Sequence, residues 1–206
     1  MKKIKLNFIP ACCIAGICMI IISGCKKEST TTTPMPISTS INFDAVATQN
    51  SGFINASNYL STYGISISNV SPASTTVGIS NTIAIYGGTA VLPTSNPNVI
   101  SQFGSNGPVS FDLNFATPLS SFSFKRTGLI GTGPSGITHP AWTAKAYSTS
   151  NVLISVVSEG RISSYVNVPA SSFLLTGPNI AYIRFEANNV ITAFSSVVMD
   201  DFNLTR

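Results

Sequence analysis

The fold is decided by residues 109–115, VSFDLNF, and by residues 119–125, LSSFSFK, which follow after the short link Ala-Thr-Pro. Val109, Phe111, Leu113 and Phe115 occupy every second position. Since side chains of a strand point alternately to its two faces, this spacing predicts a strand with one buried face. The second stretch alternates less regularly, and we expect it to form the next strand, with Pro118 between the two.

Working outward, short β-rich runs separated by turn residues fill most of the chain. Only residues 56–62 predict a helical turn. Ser80-Asn81 is expected to form a hairpin turn, and Pro178 is expected to separate two strands. About eleven or twelve strands predict an all-β protein with a single jelly-roll-like β-sandwich at residues 37–206. The other predicted strands are 40–45, 64–70, 75–79, 82–86, 142–148, 152–158, 164–168, 173–176, 180–187 and 197–204.

The charge of the predicted domain differs from that of the whole chain, whose formal net charge is +4. From Ile37 onward the sequence contains six basic and six acidic residues, so the formal charge of the domain is zero and nucleic acid is not an expected partner. Cysteine is absent after Cys25, which excludes disulfides, thiolate zinc sites and a thiol nucleophile from this region.

The N-terminus has the three parts of an export signal. Lys2, Lys3 and Lys5 precede an apolar run at residues 11–22, which is too short to cross a bilayer comfortably. The sequence Ile22-Ser23-Gly24-Cys25 then resembles the lipobox of bacterial lipoproteins. This resemblance implies that residues 1–24 are a cleaved signal peptide and that Cys25 carries the lipid. The alternative is an uncleaved membrane helix with an incidental cysteine.

Residues 25–36, CKKESTTTTPMP, predict a tether, because a Ser/Thr run with prolines cannot bury enough surface to fold. The lipoprotein resemblance implies a location in the cell envelope, with the outer membrane as the expected membrane partner. Lys26-Lys27-Glu28 resembles a surface-export signal.

The order of segments resembles a jelly-roll module of exported bacterial proteins, related in shape to galactose-binding and carbohydrate-binding modules. The matching residues are the INFD of 41–44, Tyr63-Gly64-Ile65, Ala146-Tyr147 and the VMDDF of 198–202. The resemblance implies that the first and last strands are neighbours. It departs at Tyr147, where members of the family often have an acid.

Asp44, Asp200 and Asp201 predict a structural calcium site, since carboxylate and carbonyl oxygens are the ligands of this ion and the resemblance brings the first and last strands together. The alternative is a charged edge strand or an acid that accepts loop amides. No cofactor is otherwise required.

Trp142, with Lys125, Arg126 and Tyr147, predicts a glycan-binding surface, because aromatic rings stack on sugars and polar side chains bind their hydroxyls. The alternative for Trp142 is a place in the core. His139 is expected to be an exposed loop residue.

These features favour a non-catalytic, membrane-anchored binding module, with glycans as its expected ligand. The first alternative is a structural or adhesion lipoprotein that contacts another envelope protein. The second is a glycoside hydrolase that uses two of the carboxylates of Asp112, Glu159, Glu186 and Asp200. No G-x-S-x-G motif occurs.

Overall fold

A computed structural model describes residues 35–47, 53–81, 89–95, 97–134, 136–188 and 194–206 of the chain. The predicted signal peptide, Cys25, most of the tether and the predicted strand 82–86 lie outside these residues. The described elements are β1 Ser38–Ile41, β2 Ile54–Asn55, α1 Ser57–Ser61, β3 Ile65–Ser71, β4 Thr76–Ser80, β5 Thr89–Leu92, β6 Val99–Phe103, β7 Val109–Arg126, β8 Gly128–Gly131, β9 Ile137–His139, β10 Ala141–Tyr147, β11 Leu153–Glu159, β12 Ile162–Ser164, β13 Ser171–Asn188 and β14 Met199–Thr205.

Two predicted pairs of strands are single long strands, β7 and β13, each of 18 residues. The expectation that Pro118 and Pro178 separate strands was therefore wrong. The β7–β13 register shifts on both sides of Ile180, and both prolines lie near this irregularity. Proline is tolerated there because a bulge does not require every backbone N–H. The buried set changes from odd positions before the irregularity to even ones after it, which explains why residues 119–125 alternate poorly.

The two halves of these long strands pair with different neighbours. The first half of β7 and the second half of β13 join β3, β10 and β11, and we call this group the front sheet. The second half of β7 pairs with the first half of β13 on one side and with β14 on the other. Strand β14 also pairs with β1 and β6, β6 pairs with β4, and β4 pairs with β2. We call this group the back sheet. The all-β sandwich prediction is confirmed, and β1 and β14 are neighbours as expected.

Aromatic side chains fill the space between the sheets. Phe124 of the back sheet lies 5.4 Å from Phe185 and 5.6 Å from Trp142 of the front sheet, measured between ring centroids. Phe122 meets Phe202 at 5.0 Å. Each large aromatic side chain removes roughly 150–250 Å² of surface from water, so this cluster dominates the stability of the core.

The chain segments outside the sandwich differ most from expectation. Residues 128–136 lie outside the strands predicted from the sequence, but they contain β8, which pairs with β5. The prediction of a strand at 164–168 was wrong. The strand in this part of the chain is β12, which ends at Ser164 and pairs with β9. These two small sheets enclose a second apolar cluster, which consists of Val91, Val99, Leu129, Ile137, Phe194 and Val198.

His139 is buried on β9, so the expectation of an exposed loop residue was wrong. Its Nδ1 lies 3.1 Å from the carbonyl oxygen of Pro140 and donates to it, while Nε2 accepts from the backbone N–H of Val198 at 3.4 Å. Burial, with the nearby charge of Arg126, lowers the pKa of His139 to about 3 from its ordinary 6.5. The ring is therefore neutral in the folded protein.

The buried His139 predicts a stability that falls in mild acid. Below about pH 6.5 the imidazole of His139 binds a proton in the unfolded chain but stays neutral in the folded protein. The free energy of unfolding should therefore decrease by about 1.4 kcal/mol per pH unit as the pH falls. Urea denaturation of the full chain between about pH 7 and pH 5 measures this slope. His139 is the only histidine, and His139→Asn should therefore flatten it. An equal slope in both proteins would contradict the assignment.

Candidate functional site

The outer face of the front sheet, the side turned away from the core, is a polar surface built on five paired strands. Strand register aligns its side chains in three rows. The tyrosine row is Ser66, Asn114, Tyr182 and Tyr147. The charged row is Ser68, Asp112, Arg184, Lys145 and Val156. The cleft row is Ser71, Ser110, Glu186, Thr143 and Ser158.

Strict alternation in β10 and β13 produces this face. In β10, Trp142, Ala144 and Ala146 are buried, and the residues between them point outward. In β13 from Tyr182 onward, the buried set is Ile183, Phe185 and Ala187. Because the core holds one set, the polar set has only the outer face available.

Tyr147 and Tyr182 lie directly opposite each other and form a stacked pair, with ring centroids 4.9 Å apart and planes 10° apart. The hydroxyl of Tyr182 donates to Oδ1 of Asn151 at 3.3 Å. Burial, and then the carboxylate of Asp112, raise the pKa of Tyr182, which keeps the phenol neutral. The pair thus combines an apolar ring surface with two polar ends.

The charged row contains a closely held ion pair. Nε and Nη2 of Arg184 donate to the two carboxylate oxygens of Asp112 at 2.8 and 3.0 Å, and Nδ2 of Asn69 adds a third bond at 2.7 Å. Asp112 is buried beneath these groups. The hydrogen bond to Asp112 raises the pKa of Arg184 further, so its charge is permanent.

Lys145 pairs with Glu186, which belongs to the next row, at 2.6 Å between Nζ and Oε2. The hydrogen bond that Lys145 donates to Glu186 is the largest cause that raises the pKa of Lys145. Both side chains are partly exposed, at 32% and 40%. Lys145 is therefore a partly solvent-accessible cation on the outer face.

An open cleft of about 650 Å³ adjoins the cleft row, where β7 and β10 begin and β11 and β13 end. Glu159 and Glu186 are its two acidic lining residues. Since the cleft is continuous with the outer face, a ligand on the charged row has room to extend along the strands.

Of the four residues predicted to bind a ligand, only Tyr147 lies on this face. Trp142 is 3% exposed, and its Nε1 donates to Glu159 at 3.2 Å. Its place is in the core, the alternative expected from the sequence, although it also lines the cleft. Lys125 lies on the back sheet and pairs with Asp201 at 3.0 Å.

Arg126, the fourth of these residues, is fully buried. It donates to both carboxylate oxygens of Glu159, to the carbonyl oxygens of Thr127 and Pro169 and to the hydroxyl of Ser171. This guanidinium connects the back sheet to the edge of the front sheet. Its donors are used within the protein and do not face a ligand.

Asp200 and Asp201 are held by hydrogen-bond donors. Asp200 accepts from the backbone N–H groups of Thr94, Ser95 and Asp201 and from the hydroxyls of Thr94 and Ser95. Burial raises its pKa. The pKa of Asp201 is lowered, because the bonds from Lys125 and Thr94 outweigh burial.

These contacts correspond to the alternative reading of the two acids, in which a carboxylate accepts loop amides. Within the described ranges, no three His, Cys, Asp or Glu side chains form a group that could hold a metal. One oxygen of Asp44, Oδ1, is buried without a hydrogen-bond partner. The calcium site stays a prediction.

Sequence reasoning did not single out Tyr182, Arg184 and Lys145 as ligand-binding residues. The signal was present in the alternation of residues 142–148 and 180–187, which assigns these side chains to a polar face. What was missing was the register of β10 against β13, which places them side by side.

No protein-family model and no curated protein matches this chain. Matching solved structures include the K2 cleaved adhesin domain of Lys-gingipain, with 10% identity, a TM-score of 0.48 and coverage of 82% of this chain and 100% of that domain. An arabinose-bound α-L-arabinofuranosidase matches with 13% identity and a TM-score of 0.41, over 80% of this chain. This chain spans 25% of that enzyme's length.

The carbohydrate-binding module TmCBM61, solved in complex with β-1,4-galactotriose, matches with 9% identity and a TM-score of 0.33. The match covers 68% of this chain and 83% of that module. Over the described residues, the structure contains no helix of the length and apolar character needed to cross a membrane.

The Arg126–Glu159 pair predicts a large difference between two charge-neutralising substitutions. Glu159→Gln leaves the buried guanidinium without its counter-ion and should decrease the free energy of unfolding by about 3 kcal/mol. Glu186→Gln breaks a partly exposed pair and should decrease it by only about 0.5 kcal/mol. Urea denaturation followed by Trp142 fluorescence compares the two. Similar losses would show that the buried pair has no special role.

Proposed function

We propose that this protein is a non-catalytic module that binds glycans on the outer face of its front sheet. The observation that carries the proposal is the Tyr147–Tyr182 pair, which lies beside a row of charged hydrogen-bonding side chains. Sugars present C–H faces and hydroxyl edges. A site for them therefore needs an apolar ring surface next to fixed donors and acceptors, as this face provides.

Rigidity supports the same function. The rows stand on paired strands, and their side chains are held by the Asp112–Arg184 and Lys145–Glu186 ion pairs. Groups that are already ordered lose less conformational entropy when a ligand binds. Most of the conformational entropy lost on binding would then come from the glycan chain and not from the protein.

The non-catalytic part of the proposal follows from the carboxylates of the cleft. A glycoside hydrolase needs one carboxyl group that holds a proton and a second that is ionised. Glu159 and Glu186 each accept hydrogen bonds from a cation of the protein itself, Arg126 and Lys145 respectively, so both carboxylates are already used in ion pairs. Hydrolysis stays an alternative, for which release of products from a bound polysaccharide is the evidence required.

A protein-contacting role is the second candidate, and the edge of the front sheet favours it. Strand β11 pairs only with β10 among the described strands; its Leu153 and Val156 are exposed, as is Val152 just before it. Exposed apolar edge strands favour pairing with another chain. An adhesion or structural lipoprotein would use this edge rather than the tyrosine row.

The proposed location is the cell envelope, with a lipid on Cys25 that attaches the module to the outer membrane. Support comes from the lipobox-like sequence before Cys25 and from the Ser/Thr tether that leads to Ser38, where the first strand begins.

Binding through the tyrosine pair predicts a loss of affinity when either ring is removed. The full chain, purified from membranes in detergent, is applied to a glycan array and its best ligand is titrated. Tyr147→Ala and Tyr182→Ala should each weaken binding by about tenfold, because a ring contact contributes about 1–1.5 kcal/mol. Tyr165→Ala is the matched control, since Tyr165 is 77% exposed and lies outside the face. Silence across the array would contradict glycan binding and favour the protein-contacting role.

Lipid attachment at Cys25 predicts that Cys25→Ser abolishes metabolic labelling with palmitate and releases the protein from the membrane fraction. Cys18→Ser is the control, because Cys18 lies in the apolar run that a signal peptidase would remove. Labelling that persists in Cys25→Ser, or that disappears in Cys18→Ser, would contradict the assignment.

A further inference from the structure

The charged row contains two cations directly opposite each other, Arg184 of β13 and Lys145 of β10. Like charges at opposed positions of neighbouring strands destabilise a sheet. The carboxylates that compensate them are not between them. Asp112 lies on the far side of Arg184, and Glu186 belongs to the next row. The seam between Arg184 and Lys145 is therefore positive on both sides.

Both cations retain donors for a further acceptor. A guanidinium has five N–H donors and an ammonium group has three. Among the described residues, the side chain of Arg184 makes two hydrogen bonds, both to Asp112, and that of Lys145 makes one, to Glu186. Both side chains are about one-third exposed, at 37% and 32%. An anion on the seam would meet donors from two strands.

The seam lies one row from the tyrosine pair, since Lys145 and Tyr147, like Arg184 and Tyr182, are two residues apart on their strands. Two residues along a strand span about 6.7 Å. A sugar ring packed on the tyrosines would thus place a substituent of its own, or of the next sugar, over the two cations. On the other side, the cleft beyond Glu186 leaves room for the chain to continue.

We infer that the outer face selects glycans with an anionic substituent, a carboxylate or a sulfate ester, and that Lys145 and Arg184 bind this group. The inference rests on the proposed glycan-binding function. Charge-assisted hydrogen bonds from both cations would stabilise the anion. Glu186 competes with it for Lys145.

The test measures the affinity of the full chain for three probes of related backbone: oligogalacturonate, a sulfated galactan oligomer and a neutral galactan oligomer. We expect the wild-type protein to bind at least one anionic probe about tenfold more tightly than the neutral probe, with an affinity that falls as NaCl is added. The uronate and sulfate arms distinguish the two sources of the charge.

Two variants of the same ion pair should change this affinity in opposite directions. Lys145→Gln removes a cation and should weaken binding of the anionic probe about tenfold. Glu186→Gln removes the competing carboxylate and should strengthen it about threefold. A purely structural role of the pair would move both variants in the same direction, and that result would overturn the inference.

The remaining outcomes separate the inference from the function on which it rests. If the neutral oligomer binds as tightly as the anionic ones and Tyr147→Ala weakens it, the outer face binds glycans without selecting charge, and only the inference is wrong. If no probe binds and the glycan array is silent, the proposed function is wrong and the inference is wrong with it.

Discussion

The pairing of β7 with β13 is the constraint on which the rest of this structure depends. Both strands run through the two sheets of the sandwich, so their pairing sets the neighbours of β7 and β13 in each sheet. Phe111 and Phe185, which are opposed in that register, stack in the core at 5.1 Å. Asp112 and Arg184, one position along, pair outside it. A slip of one residue would exchange these two sets and bury the charges, which makes this register strongly specified.

The described residues form four ion pairs, and these lie in different parts of the sandwich. Arg126 and Glu159 join the back sheet to the edge of the front sheet beneath the surface, while Lys125 and Asp201 pair beside the bulge in β14. The other two pairs, of Arg184 and Lys145, lie on the outer face. The face that we propose as a binding surface therefore draws on the same β7–β13 and β10–β13 registers that organise the core.

Prediction from the sequence worked where a single strand contains the information. The alternation of residues 109–115 predicted which side chains are buried, and β10 and β13 follow the same rule. It failed where the partner is distant in the chain. His139 was expected in an exposed loop and Arg126 on a glycan-binding surface, whereas both are buried, with the backbone of Val198 and the carboxylate of Glu159 as their partners.

The sequence by itself determined the fold class, the polar and apolar faces of the main strands, and the neutral, cysteine-free character of the region after residue 37. Period-two alternation is local, so it can be read without knowing the partner strand. Only the tertiary structure decided that Trp142 belongs to the core, that Pro118 lies within a strand, and that Tyr147 meets Tyr182. Those outcomes depend on register between strands far apart in the chain, and no single stretch of sequence contains that register.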